Sequence, residues 1–193
     1  MRINILSILL LVIISLCYSQ TEHIHGPTQA SFYETNLRHT IYIDNVEVDG
    51  LEASIAEYNT DTAPTNDLSE LLNPLNPDSS DAIFIYYSPN PGIEVCVGWT
   101  YYHKNASEKT VLSVYGDDLF IDNNPLVSSS YPTSGAEGSR FSFKFYDADA
   151  NEFGDIDILN ALINGNLLPY SQGSQTVDLL YAENQFGCEV PEA

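Results

Sequence analysis

The stretch RFSFKFY, residues 140–146, is the clearest indication of the fold class. Phe141, Phe143 and Phe145 point to one side of an extended chain, and the polar residues between them point to the other side. An alternation with a period of two is typical of a strand with one buried face. The stretch therefore predicts a β-strand at the edge of an apolar core.

Other stretches show the same β-type composition. They are HTIYID (39–44), AIFIYY (82–87), GIEVCVGWTYY (92–102), KTVLSVY (109–115), DLFID (118–122) and QTVDLLY (175–181). Because HKNASE separates two of them by a short polar turn, residues 92–115 are expected to form a hairpin.

Two helices are expected, in TNDLSELLN (65–73) and in DIDILNALING (155–165). The second has an apolar stripe and a glycine suited to its end. The whole pattern predicts a mainly all-β fold: an antiparallel β-sandwich of about seven or eight strands with one or two short helices. A partly open barrel is the alternative.

The N-terminus resembles a secretion signal. Arg2 precedes an apolar run, and Cys17 and Ser19 are small residues before an expected cleavage at Gln20. Residues 1–19 are therefore predicted to be a signal peptide, and residues 20–193 a single secreted β-sandwich domain of sufficient size for one core. The apolar run is too short for an ordinary membrane span, so an extracellular location is expected.

The charge is strongly negative. The chain has 27 acidic and 6 basic residues, with a net charge of −21. Such a field repels nucleic acid and anionic membranes, and it favours cations, a mineral surface or a basic extracellular protein as partner. Solubility in a crowded or salty extracellular space is the alternative explanation.

Two sites of covalent chemistry are expected in the secreted chain. Cys96 and Cys188 form an even pair, which in an oxidising compartment predicts one disulfide. Asn105 begins an Asn-Ala-Ser acceptor in the expected turn, which predicts a glycan there in a eukaryote.

The segment that follows RFSFKFY, DADANEFGDID (147–157), is the candidate ion site. Calcium takes six to eight oxygen ligands on a flexible loop. The expected ligands are Asp147, Asp149, Asn151, Asp155 and Asp157. The alternative is a solvated acidic turn without a bound ion.

This segment resembles two families. Gly154 and Ile156, counted from Asp149, match the turn glycine and the apolar position of an EF-hand loop. Tyr146, Asp147, Asp149, Asp155 and Ile156 are similar to one calcium loop of the synaptotagmin-type β-sandwich, which implies calcium as ligand. The second resemblance covers this loop alone. It does not extend to the family's other loop or its basic lipid patch, so phospholipid binding is not implied.

Other motifs give weaker indications. His23 and His25 have the spacing of metal ligands in an extended chain. The pairs Tyr86–Tyr87 and Tyr101–Tyr102 suggest an aromatic platform or ordinary strand composition. The leading hypothesis is a secreted, non-catalytic protein that binds calcium as part of an extracellular or biomineral matrix. The rivals are an interaction protein for a basic partner and a secreted metal- or carboxylate-dependent enzyme.

Overall fold

The computed structural model describes residues 22–24, 30–58, 68–117, 127, 130–148 and 158–183. The elements in these ranges are β1 (Glu22–Ile24), β2 (Ser31–Tyr33), β3 (Leu37–Val48), β4 (Leu51–Glu52), α1 (Leu68–Leu71), β5 (Ala82–Tyr87), β6 (Val95–Tyr101), β7 (Thr110–Gly116), β8 (Phe141–Tyr146), β9 (Ile158–Ile163) and β10 (Gly173–Ala182). Short 3₁₀ turns cover Pro77–Ser79 and Gly138–Arg140.

Eight strands form one hydrogen-bonded sheet in the order β4-β3-β10-β9-β8-β5-β6, and β7 pairs with β3 beside β4. The pair β3–β10 is parallel, and the other pairs in this sheet are antiparallel. β1 and β2 form a separate antiparallel pair. The mainly β class is thus confirmed, and the sheet is mixed.

The sheet curls until strands from its two ends face one another. His39, Ile41 and Val114 line the same small cavity as Ile85 and Phe141, although they come from opposite halves of the sheet. The curl encloses the core, whose buried side chains include Ile43, Ile83, Leu112, Phe143, Phe145 and Leu159.

β6 and β7 meet at a close backbone approach. A Cβ added at Gly98 of β6 would overlap the carbonyl oxygen of Ser113 in β7, so only glycine fits there. Phe32 of β2 is buried against residues of both strands. Its ring stacks on Tyr115 at 5.4 Å and meets Trp99 edge-on at 6.4 Å.

Three expectations about topology need correction. Since all eight main strands belong to one continuous sheet, the two-sheet sandwich is not confirmed, and the β3–β10 pair departs from an antiparallel arrangement. The expected hairpin over residues 92–115 is wrong: the turn exists, but β7 pairs with β3, and no ladder joins it to β6 among the described residues. Long-range pairing provides the partner that the adjacent strand was expected to supply.

The expected helix over residues 155–165 is also wrong where the structure describes it, because Ile158–Ile163 is strand β9. β9 lies between β8 and β10, where its backbone is paired on both sides. Leu159 and Ala161 are buried, and Leu162 is 59% exposed. The spacing of the apolar residues in this segment is compatible with a helix or with a strand. Hydrogen bonds to β8 and β10 stabilise the strand.

The other strand predictions in the described ranges are confirmed, with boundaries shifted by a few residues. The helix expected in residues 65–73 is present as Leu68–Leu71. The strand expected at residues 118–122 lies outside the described residues. Within the described part of the chain, no helix is long and apolar enough to cross a membrane.

Candidate functional site at the acidic ends of strands β5 and β8

Asp147 is the one expected calcium ligand that the structure describes. It follows directly after β8 and is 8% exposed. Asp149, Asn151, Asp155 and Asp157 lie outside the described residues, so their arrangement stays a prediction. The acidic segment therefore begins from a buried strand end, which holds its first carboxylate at the boundary of the core.

Asp81 lies at the neighbouring strand end and was not among the ligands expected from the sequence. The last pair of the β5–β8 ladder is Ala82 with Tyr146, so Asp81 and Asp147 are the next residues on their two strands. Asp81 is 3% exposed. The signal in the sequence was a carboxylate immediately before a strand that is apolar on both faces.

The Asp81 carboxylate is held by backbone donors. One oxygen accepts the N–H of Ser54 at 2.6 Å, and the other accepts the N–H of Ala148 at 2.9 Å. The Asp81 backbone also donates to Ser54 O at 3.1 Å and accepts from Tyr102 N at 2.8 Å. A buried carboxylate needs such donors to offset its lost hydration. Asp81 consequently holds the 53–56 loop and the first residues of the acidic segment together through hydrogen bonds to one carboxylate.

Phenolic side chains surround this end of the sheet. Burial, followed by the nearby Tyr146 and Asp78, raises the pKa of Tyr101. Tyr102 donates to Glu52 at 2.8 Å, and burial together with this carboxylate raises the pKa of the Tyr102 phenol far above its usual value. These phenols therefore stay neutral at physiological pH and add no charge beside the carboxylates.

Four basic side chains, those of Lys104, Lys109, Arg140 and Lys144, already have a contact elsewhere. Lys109 pairs with Asp44 at 2.5 Å, and Lys144 pairs with Glu94 at 2.7 Å. Lys104 donates to the Asp44 carbonyl, and Arg140 donates to the carbonyls of Ser88 and Pro89. In the described part of the chain, the ion pairs that these residues form leave most of the acidic charge uncompensated.

Among the described residues, no group of three or more His, Cys, Asp or Glu side chains is arranged to hold a metal ion. Asp81 and Asp147 alone cannot supply the six to eight oxygens that calcium takes. A complete calcium site here would need oxygens from residues 149–157, as the sequence predicts.

The described histidines serve the fold. His103 is fully buried. Its Nε2 accepts the N–H of Val111 at 3.2 Å, so its Nδ1 carries the proton and donates to Tyr101 O at 2.8 Å. Burial lowers the pKa of His103 to about 4. His39 lies 2.7 Å from Ser171 O through its Nδ1. The side chain of His23 and all of His25 lie outside the described residues, so their metal site stays a prediction.

Two covalent predictions have partial structural context. Cys96 is buried and its Sγ contacts Gly98 O at 3.6 Å, and Cys188 lies outside the described residues. Their disulfide stays a prediction.

Asn105 begins a tight turn in which its Oδ1 accepts the N–H groups of Ser107 and Lys109. Residues 106–108 are exposed, which suits the predicted glycan.

The suggested aromatic platform is not formed by the tyrosine pairs. Tyr87, Tyr101 and Tyr102 are buried, and Lys144 lies over the ring of Tyr86 at 4.5 Å. Burial raises the pKa of Tyr86 to about 12. These four residues therefore belong to the packing of the sheet.

No protein-family model, curated protein or solved structure matches this chain. Any function must consequently be argued from its own residues.

Proposed function

We propose that this chain is a secreted, non-catalytic binding protein that coordinates calcium through the acidic segment after β8. The single observation that supports this most is the adjacency of Asp81 and Asp147, two buried carboxylates at neighbouring strand ends. They lie where the segment with the four other proposed ligands begins. In this proposal Asp147, Asp149, Asn151, Asp155 and Asp157 are the ligands.

Asp81 would support the ligands rather than complete the ion's coordination. Its carboxylate oxygens hold the N–H groups of Ser54 and Ala148, which orients the backbone beside Asp147. A calcium ion would offset the repulsion among these carboxylates and order the segment. The two halves of the curled sheet would act as the layers of a sandwich-like scaffold that holds this end rigid.

The context would be an extracellular or biomineral matrix, where calcium is millimolar and even a weak site is occupied. The surplus of acidic side chains supports this, because a large negative field raises the local cation concentration. The predicted signal peptide, disulfide and glycan all belong to the same compartment.

The test is calorimetric titration of calcium into chelator-stripped protein purified after secretion of the full chain. We expect saturable binding in the micromolar to millimolar range and its loss in Asp147→Asn/Asp149→Asn. The matched control is Glu108→Gln/Asp178→Asn, which removes the same charge from two exposed positions elsewhere and should bind like the wild type. An absence of binding at about 10 mM calcium would reject the calcium proposal.

The rival is capture of a basic protein through the uncompensated negative surface. Its support is the net charge of −21, together with the engagement of Lys104, Lys109, Arg140 and Lys144 in contacts of their own. Binding to polylysine that weakens steeply with salt and ignores calcium would favour this rival.

A further inference from the structure

Strands β8 and β9 separate at one end and leave a cleft between them. Their ladder ends at the pair Phe143–Ala161, and beyond it β8 is paired with β5 while β9 is paired with β10. The cleft has a volume of about 580 Å³. This volume lies within the range of about 300–1,000 Å³ that is typical of small-molecule sites.

The cleft and the acidic segment lie at opposite ends of strand β8. Asp147 follows the C-terminal end of β8, whereas the cleft lies beside the N-terminal end of that strand. Its lining includes Ser139, Phe141, Ser142, Leu162, Asn166 and Leu167. It is therefore a separate surface from the proposed calcium site.

The walls of the cleft are held in position by backbone contacts. Gly135 N–H donates to Tyr170 O, and Tyr170 N–H donates to Ala136 O, each at 2.7 Å. A Cβ at Gly138 would overlap the backbone of Leu167, so the two walls meet at this glycine. Such bonds fix the shape of the cleft before any ligand enters, which reduces the entropic cost of binding.

The aromatic floor is also fixed. The Phe141 ring stacks on Tyr170 at 5.9 Å with an interplanar angle of 22°. The Tyr170 hydroxyl in turn donates to Leu37 O at 2.8 Å. Phe141 thus forms a fixed inner edge of the cleft, while Leu167 and Leu162, which is 59% exposed, offer apolar surface to one face of a ligand.

Among the described residues, no charged side chain lines the cleft, although the chain has 27 acidic residues. The two cations on the neighbouring β8 segment are engaged: Arg140 binds the carbonyls of residues 88 and 89, and Lys144 pairs with Glu94. An anionic ligand would find no free cation here and would be repelled by the net charge. A cationic ligand would find no carboxylate among the described lining residues, and the carboxylate beside Ser142, that of Glu94, is already paired with Lys144. The uncharged lining therefore favours a neutral ligand.

Polar groups in the lining call for a ligand rich in hydrogen-bonding groups. In a strand, the N–H and C=O groups of successive residues point to opposite neighbours. Beyond the last β8–β9 pair, some of these groups are consequently directed at the cleft. The amide of Asn166 and the hydroxyls of Ser139 and Ser142 add to them, and the Ser142 oxygen can accept while its proton goes to Glu94 at 2.9 Å.

We infer that this cleft binds a neutral mono- or disaccharide. Such a ligand has hydroxyls for the polar groups of both walls and an apolar ring face for Leu162 and Leu167. It is neutral, and its size fits the volume of the cleft. A purely apolar ligand would leave the directed backbone groups without partners, which is costly.

The experiment uses the secreted protein on an array of neutral and acidic saccharides, followed by amide NMR with the best neutral hit and with maltose, lactose and N-acetylglucosamine. We expect saturable shifts at the amides of Ser142, Leu162 and Asn166, with millimolar or tighter dissociation constants. Calcium should not be needed.

Two matched pairs of variants locate the site. Asn166→Ala should weaken binding about tenfold, because an amide that bonds the ligand is lost, whereas Asn164→Ala changes an exposed neighbour outside the cleft and should not. Leu162→Ala should weaken binding, whereas Leu75→Ala should not; these leucines are 59% and 61% exposed.

The inference is overturned if no neutral saccharide on the array binds, or if acidic saccharides bind better than neutral ones. It is also overturned if binding survives unchanged in both Asn166→Ala and Leu162→Ala. Binding that requires calcium would assign the saccharide to the acidic segment instead of the cleft.

Discussion

The Asp81 carboxylate accepts the backbone N–H of Ala148 at 2.9 Å, and this bond joins the start of β5 to the first residues of the acidic segment. Its second oxygen accepts the N–H of Ser54 at 2.6 Å. One buried side chain thereby fixes two loops at one end of the sheet. The orientation of Asp147 depends on this arrangement, because Asp147 directly precedes Ala148.

Asp81→Asn should destabilise the protein by about 2 kcal/mol. Asparagine has one acceptor oxygen, so its NH₂ group would face one of the two backbone N–H donors and leave it unsatisfied. Urea unfolding measures the change. Asp78→Asn is the control, since Asp78 is exposed in a nearby 3₁₀ turn and its change should cost less than about 0.5 kcal/mol. Equal losses in the two variants would contradict the role given to Asp81.

Gly98→Ala should destabilise the protein by about 3 kcal/mol or prevent folding. The added Cβ would overlap Ser113 O, and a backbone atom cannot move aside as a flexible side chain can. Thermal unfolding and soluble yield measure the effect.

Gly173→Ala is the matched control for Gly98→Ala. A Cβ there has only the Ser171 hydroxyl within 4 Å, at 3.9 Å. The free energy of unfolding should therefore change by less than about 0.5 kcal/mol. A fully stable Gly98→Ala protein would show that β6 and β7 do not meet closely.

His103 should make the stability depend on pH. Its folded pKa is about 4, and the unfolded value is about 6.5. The unfolded state therefore binds the proton first. Neutral His103 therefore contributes fully to the free energy of unfolding above about pH 6.5. This contribution is lost as the pH falls toward 4, by about 3 kcal/mol in total. Below about pH 4 both states are protonated and the loss levels off.

The measurement is the unfolding free energy of the wild type minus that of His103→Gln, from pH 7.5 to pH 4. Taking this difference removes the contribution of the carboxylates, which titrate in both proteins. Lys104 and the Tyr58 ring, 6.3 Å from the imidazole, are the other groups beside His103. A difference that does not change with pH would show that His103 does not titrate as proposed.

Cys96 should not react with a thiol reagent in the native protein. It is 6% exposed, and burial raises the pKa of its thiol to about 12, so almost no thiolate forms near neutral pH. Ser174→Cys provides an exposed thiol as positive control. Rapid labelling of native Cys96 would contradict its burial.

Unfolding the secreted protein without reductant tests the predicted partner of Cys96. If Cys96 and Cys188 form a disulfide, as the sequence predicts, the unfolded chain stays unreactive until reductant is added. An immediate reaction of the unfolded chain would show that the pair is not joined.

The strands were predictable where the local sequence pattern is compatible with a strand and not with a helix. RFSFKFY alternates, and it forms β8 with Phe143 and Phe145 buried. The segment at Ile158–Ile163 had two solutions, because its apolar residues suit a helical stripe as well as a strand. Its place between β8 and β10 depends on partners far away in the chain, which a local pattern does not contain.

The candidate site was predictable in part for the same reason. Asp147 belongs to a dense acidic run that is visible in the sequence, whereas Asp81 is a single carboxylate 66 residues earlier in a chain with many. Only the β5–β8 register brings the two to adjacent strand ends. The cleft between β8 and β9 had no sequence signal, since it arises where two strands separate.

The sequence by itself determined the properties that depend on composition and short-range period: a strongly acidic chain, a mainly β fold and the position of most strands. The tertiary structure alone decided which strands pair, that β10 lies parallel to β3, and how the sheet curls until Gly98 meets Ser113. The physical reason is that alternation specifies which face of a strand is buried. The neighbour that its backbone bonds depends on packing of the whole chain.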